Sequence, residues 1–311
     1  MTEKVAPKPF KTFQEQLDIY KARGLIVEDD SYVLRYLQTI GYYRLSGYSY
    51  PFRRMLADKT RGDDFMPNTH FYQIKDLYVF DRQLRQLAID ALERIEVAMR
   101  VQITYRLSQY DVTSHLQSKF FNDDFNKNKR YKWLSKYYQL IERSQKNSDF
   151  VKHHEEKYSD MPIWVHCELW DFGTISMLYA GMLQEDKDKI AVYFGLSSHK
   201  LLETQLHALN IIRNISAHYG RLWNRHLGKP ASFRNMGEPW SKLSLNANNV
   251  LVYFCLMQYF LKQISPNSRW GERFLALLDD FPQVENEIIN LRQMGLPMTL
   301  DEFKAWDLWQ K

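Results

Sequence analysis

The stretch from Phe71 to Leu107 constrains this chain most. Its apolar residues fall at Leu77, Phe80, Leu84, Leu87, Ala91, Ile95, Ala98, Val101 and Leu107. Steps of three and four residues line these side chains along one stripe, so the spacing predicts one long amphipathic helix. Further helices are expected over Trp133 to Arg143, Leu201 to Arg225, Ala247 to Ile264 and Phe274 to Met294. Another is expected from Ile163 to Leu183, with Pro162 at its first turn and a break at Gly173. Thr299 and Glu302 have the spacing of a capping box that opens a last short helix. Alternating strands joined by tight Asn-Gly or Asp-Gly turns are not seen. Twelve Gly and ten Pro in 311 residues also lean away from a turn-rich β architecture. The expected fold class is all-α, with residues 66–265 as a helical core. Residues 1–65 form an aromatic-rich helical and loop segment before it, and residues 266–311 a helical extension after it.

Composition excludes several classes. At 45% hydrophobic and 25% charged residues the chain is neither disordered nor fibrous. Cys167 and Cys255 are too few and too far apart for a disulfide framework or a zinc cage, which points to a reducing compartment. Met1 to Phe10 lacks a secretory apolar run. Val250 to Leu261, VLVYFCLMQYFL, falls short of the roughly 20 residues a membrane span needs and reads as a buried helix. A soluble, cytoplasmic protein without a membrane partner is expected. Net charge is only +5, but from Lys200 to Arg234 six bases oppose the single acid Glu203. After Pro266 the sign reverses, with five bases against eight acids. Such a local patch suits a polyanion such as RNA, although composition alone favours an ordinary solvated face.

Gly41 to Phe52, GYYRLSGYSYPF, holds five aromatics and cannot form a long helix. Tyr42, Tyr43, Tyr48 and Tyr50 with Arg44 have the chemistry to stack and hold bases. Packing of the rings onto the bundle is the better reading.

Chemistry concentrates between His207 and His226, HALNIIRNISAHYGRLWNRH. At about 100° per residue, a continuous helix would line up His207, Asn210, Asn214, His218, Arg221 and Arg225 on one narrow stripe. Ile212, Tyr219 and Trp223 would lie opposite. Arg213 would stand to the side, with reach enough to swing into the stripe. A solvated face is richer in Lys and Glu. Histidine moves protons near neutral pH and arginine offers a fork of donors to phosphate, so the stripe suits phosphate and proton transfer.

Arg213 and His218 form an R-x4-H pair. The pair alone says little, since Arg221 and His226 repeat it. Its context is more specific. RNISAHYGRLWNR, from Arg213 to Arg225, resembles the motif of the Abi-like abortive-infection proteins of bacteria, of the AbiD and AbiF type, within the HEPN superfamily. Five more segments resemble that family in the same order: RGLIVEDD from Arg23, GYYRLSGYSYPFR from Gly41, DRQLRQLAIDALERIEVAMR from Asp81, PIWVHCELWDFGTISMLY from Pro162 and IAVYFGL from Ile190. The resemblance covers roughly residues 8 to 230. Relatives more often read RN-x-C-A-H-H-S-R, whereas Ser216 replaces the cysteine here and Tyr219 and Gly220 replace His-Ser. A second adjacent histidine therefore has no role.

The resemblance implies a HEPN-type bundle and metal-independent cleavage of RNA without a cofactor. Arg213 would bind the scissile phosphate, Asn214 would orient histidine or phosphate, and His218 would act as general base or acid. The products would be a 2′,3′-cyclic phosphate and a 5′-hydroxyl. RNA contacts are expected from Arg221, Arg225, Asn210, His207, Asn224 and Arg44. HEPN sites form where two motifs face each other, so one copy per chain implies a homodimer. Relatives also imply control by a partner, with a structured noncoding RNA a candidate. Two other readings stand beside the toxin nuclease. One is a module that holds a structured noncoding or antitoxin RNA without cutting it. The other is a structural dimerisation bundle with the polar stripe inside its interface.

Remaining candidates weigh less. His153, His154, Glu155 and Glu156 lack HExxH spacing and read as a solvated helix face. His166, Cys167 and Glu168 lack a zinc or nucleophile partner set, although Glu168 falls in a family-like segment and is a candidate supporting carboxylate. Glu93, Arg94, Glu96 and Arg100 have spacings suited to Glu–Arg pairs, with an interface or RNA role as the lesser reading.

Overall fold

A computed structural model describes residues 7–158, 160–234, 236–237, 240 and 245–310. The chain is all-α, and its described residues divide into two compact units, Met1–Gln83 with Asp279–Leu291 and Leu84–Leu278 with Arg292–Lys311.

The first unit holds α1 (Phe13–Ala22), α2 (Asp30–Thr39) and α3 (Tyr42–Ser49). Thr12 caps α1 through a reciprocal capping box with Glu15, and the Asp29 carboxylate caps α2. The segment Gly41 to Phe52 becomes a short helix and a 3-10 turn, Tyr50–Phe52. Most of its aromatics pack inward. Tyr48 and Phe52 are buried, and Tyr42 stacks on Tyr20 at 4.8 Å, whereas Tyr43 stands 92% exposed. A small antiparallel ribbon, β1 (Arg53–Met55) and β2 (Arg61–Phe65), follows. It was not expected, because its turn uses Lys59 at φ 65° in place of an Asn-Gly or Asp-Gly pair.

The long helix α4 (Phe71–Ser108) forms over the predicted stretch. Residues 71–83 belong to the first unit and residues 84–108 to the second. In the second unit its buried stripe is Leu84, Ala88, Leu92, Ile95, Met99, Ile103 and Leu107. There follow α5 (Arg130–Asn147), α6 (Asp149–Lys157), α7 (Ile163–His166), α8 (Phe172–Gly181), α9 (Gln184–Tyr193), α10 (His199–Ala217), α11 (Leu251–Ile264), α12 (Trp270–Asp279) and α13 (Leu300–Lys304). Helix α10 packs on α8 and α9, and α5 packs on α8.

Several boundaries differ from the expected ones. The helix expected from Ile163 to Leu183 breaks two residues before Gly173, because Asp171 caps α8 by accepting the Thr174 N–H. The helix expected from Phe274 to Met294 ends at Asp279, shortly before Pro282, and only 3-10 turns at Glu285–Glu287 and Leu291–Met294 follow. The Thr299–Glu302 capping box forms as expected and opens α13. The apolar run Val250 to Leu261 lies mostly in α11 as core. Among the described residues no helix is long and apolar enough to cross a membrane.

Candidate active site

Helix α10 opens at Ser198, whose hydroxyl accepts the Lys200 N–H, and buries Leu202, Leu206, Leu209 and Ile212. That burial fixes which residues stay outside: His207 and Asn214 are exposed, and Asn210 and Arg213 half-buried.

The helix stops at Ala217, eight residues short of the expected end at Arg225. His218 is its C-cap, and Tyr219 takes a left-handed φ of 58°. The Tyr219 N–H donates to the Ser216 carbonyl at 3.2 Å, and the Gly220 N–H to the Ile215 carbonyl at 2.8 Å. These are the paired bonds of a Schellman ending. Gly220 permits the close return, because a Cβ there would lie 3.1 Å from Ile215 Cγ2 and 3.2 Å from its carbonyl oxygen. The chain then buries Leu222, Trp223 and Leu227, and the Leu227 N–H bonds to the Asn248 carbonyl at 2.8 Å. Full burial of one large apolar side chain contributes about 1.5–3 kcal/mol, against fractions of a kcal/mol per residue for helix propensity. The six-residue stripe is therefore corrected. His207, Asn210 and Asn214 share α10, His218 closes it, and half-buried Arg221 and exposed Arg225 lie beyond it.

Charged groups from other elements lie along the C-terminal half of α10. On α4, Glu96 is 13% exposed and takes a hydrogen bond from Arg100 one turn on. Arg100 also donates to the Trp170 carbonyl, and its Nη1 stands 3.7 Å from Glu168 Oε2. Burial raises the Glu96 carboxyl above its ordinary range, against the pull of the Arg100 and Arg213 charges. Asp171 adds to the rise. Glu96 is thus ion-paired with Arg100 and lies within electrostatic range of Arg213. Arg213 Nη1 reaches Asn214 Oδ1 at 3.4 Å, so guanidinium and amide adjoin.

Asp171 Oδ1 accepts from Lys136 Nζ on α5 at 2.7 Å and from the Thr174 N–H and hydroxyl at 2.8 Å each. Burial works to raise the Asp171 carboxyl, but these bonds outweigh it and hold it below the usual carboxylate range. Gly173 marks the junction. A Cβ there would lie 3.4 Å from both Asp171 Oδ1 and Lys136 Nζ, and 3.5 Å from Asn210 Nδ2.

The His218 imidazole is exposed, and the His218 backbone N–H donates to the Asn214 carbonyl at 3.0 Å. Buried Arg85 of α4 steadies the turn from below, with Nη1 3.4 Å from the Gly220 carbonyl oxygen. The arrangement offers a planar donor fork, an amide and an accessible imidazole at one helix end.

The other candidates are spread more widely. Asn224 is half-buried, and its Oδ1 finds no hydrogen-bond partner among the described residues. Arg44 is exposed on α3 of the first unit. Lys200, Arg225, Lys229 and Arg234 are exposed, while Glu203 engages Lys187 at 3.3 Å. His153 and Glu156 are exposed on α6, and the Glu155 side chain lies outside the described residues. His166 is buried, with Nε2 2.7 Å from Tyr137 Oη, and the Cys167 thiol is pushed up to about 11 by burial. Among the described residues no three His, Cys, Asp or Glu side chains are grouped to hold a metal ion.

Sequence reasoning missed Lys136, Asp171 and Arg85 as neighbours of the site, and the electrostatic reach of Arg213 to Glu96. Only the Glu96–Arg100 pair had a local signal, its four-residue spacing.

These features define an all-α protein with a compensated cluster of arginine, amide and histidine at a helix end. The profile of a family described as Abi-like protein matches residues 35–224, which include Glu96, Asp171 and the Arg213–His218 motif. The chain belongs to the Abi-like family. No curated protein and no solved structure matches it.

Proposed function

We propose that this Abi-like protein is a metal-independent endoribonuclease of the HEPN type, acting in the cytoplasm as a toxin of anti-phage defence. Family membership points to abortive infection. The observation that carries the nuclease reading is the helix end itself. Arg213 adjoins Asn214 within range of the Glu96 charge, and exposed His218 closes the same helix.

In the proposed reaction the ribose 2′-oxygen attacks the adjacent phosphorus as it loses its proton to a base. The bond to the 5′-oxygen breaks and that oxygen takes up a proton, leaving a 2′,3′-cyclic phosphate and a 5′-hydroxyl. His218 serves as the base or the acid. Arg213 binds the phosphate and stabilises the charge that develops on it, with Asn214 orienting phosphate or imidazole. Dependence on the 2′-hydroxyl makes RNA the substrate. A homodimer would set two such helix ends across one cleft, and a structured noncoding RNA is the proposed regulator.

The test compares wild type with His218→Ala and Arg213→Ala on total RNA in EDTA and under inducible expression. Cyclic-phosphate ends and growth arrest, both lost in the variants, are the expected result. Equal silence of all three proteins with salt-dependent RNA binding would instead support a module that holds RNA without cutting it.

A further inference from the structure

Helix α5 carries five bases, Arg130, Lys132, Lys136, Arg143 and Lys146, against one acid, Glu142. At about 100° per residue, Lys132, Lys136, Gln139, Arg143 and Lys146 fall within about 80° of one another, and Arg130 points away. The charges span about 21 Å of helix at about 1.5 Å per residue. Lys132, Gln139, Arg143 and Lys146 are exposed, and neither Lys132, Arg143 nor Lys146 forms an ion pair with a described residue. An ordinary solvated face intersperses both signs.

Two observations give this row a direction and a companion. Its half-buried member, Lys136, is bonded to Asp171 beside Gly173, where Asn210 of α10 also arrives. The row therefore reaches the junction with Asn210, one turn before Arg213 on α10. Along its flank, Tyr131 and Tyr138 are 87% and 58% exposed and lie about 80–100° from Gln139 on the same side. Shallow grooves of about 520 and 550 Å³ follow the row, the first reaching from Tyr131 and Lys132 to Asp171.

We propose that α5 is a binding track for single-stranded RNA, leading the strand to the helix end at Arg213 and His218. Lys132, Arg143 and Lys146 hold phosphates, and Tyr131 and Tyr138 stack bases. A row of cations beside a row of exposed rings is the pattern by which proteins hold single strands without reading sequence. The class of strand follows from the proposed nuclease activity, on which this inference rests.

The probe is a fluorescent 2′-O-methylated oligouridylate of about twenty nucleotides, several times the smallest single-strand site. A 2′-hydroxyl mechanism cannot cut it. Its affinity for the full chain is measured across a salt series. The variant K132Q/R143Q/K146Q is expected to bind more weakly, with the slope of log K against log salt flattened by about 2, at about 0.7 per lost phosphate contact. Tyr131→Ala with Tyr138→Ala is expected to weaken binding by about tenfold or more with the slope unchanged. Wild-type affinity and slope in the glutamine variant would overturn the track. So would retained RNA binding with selective loss of binding to phosphatidylserine vesicles, which would assign the row to an anionic membrane. Because the probe is uncuttable, the result decides the track whichever way His218→Ala decides the chemistry.

Discussion

Glu96 pairs with Arg100 within range of the Arg213 charge, and its burial has a cost that these two charges offset. A largely buried carboxylate is unfavourable without partners, and Arg100 and Arg213 supply the compensating charge. The converse holds for Arg213, whose guanidinium would otherwise be freer to leave the position proposed for phosphate binding. Glu96→Gln keeps the shape and removes the charge. It is expected to lower kcat on RNA by about 100-fold, the cost of a displacement near 1 Å, with KM changed far less. Glu96→Asp should recover part of the loss, and circular dichroism should show both variants folded. A loss of activity that only matches the unfolded fraction, with the melting temperature lowered and the rate per folded molecule unchanged, would mean that Glu96 serves stability alone. Local spacing revealed the Glu96–Arg100 pair, but the approach of Arg213 joins positions on two distant helices and has no local signal. The buried histidines give a second prediction at this scale. Burial, reinforced by the neighbouring His166, drives His115 down to about 3 despite the pull of Asp111. Burial and the charge of His154 lower His166 to about 4. In the unfolded chain both rings gain protons below about pH 6.5. Their contribution is therefore complete above that pH and is lost as pH falls toward 4, by up to about 1.4 kcal/mol per unit for each ring. Chemical denaturation of wild type and His115→Asn across this window should show the shallower pH slope in the variant.

At the scale of elements, the helices with unbroken periodicity were legible and the end of α10 was not. Polar residues recur at helical spacing through Arg225, yet the backbone reverses after His218 because Leu222 and Trp223 are needed in the core. A glycine at the left-handed position would have signalled the stop. Here Tyr219 occupies that position and Gly220 the next, where closeness to Ile215 requires the missing side chain. Gly220→Val is expected to cost about 1–3 kcal/mol by overpacking and to displace His218. Denaturant melts would register the first effect and cleavage rates the second. Wild-type stability would show that the Schellman ending does not fix the turn. Gly181 gives a parallel case away from the site, since a Cβ there would overlap the ring of buried Phe125. Gly181→Ala should destabilise by about 1–3 kcal/mol while leaving the activity of the folded fraction unchanged. The cationic row of α5 went unread in the sequence, where the expected helix ran only from Trp133 to Arg143 and left Lys132 and Lys146 outside it. It also lacked a destination, which the Lys136–Asp171 bond supplies.

At the scale of the molecule, the all-α class follows from periodicity, whereas the grouping of residues 279–291 with the N-terminal segment is set by contacts distant in sequence. Stoichiometry is the property on which the proposed chemistry depends most. One chain provides a single Arg213–His218 motif in a family-like context, and one imidazole cannot be base and acid in the same instant. A second copy would supply the complementary proton carrier and a second guanidinium across a two-fold axis. The active species should then have a mass of about 75 kDa, twice the 37.4 kDa of the chain. On dilution, cleavage per chain should fall over the same concentration range in which sedimentation shows the mass dropping to that of one chain. Constant activity per chain through the dissociation would rule out a shared site. The single helix end would then have to carry both proton transfers by moving one imidazole between the 2′- and 5′-oxygens.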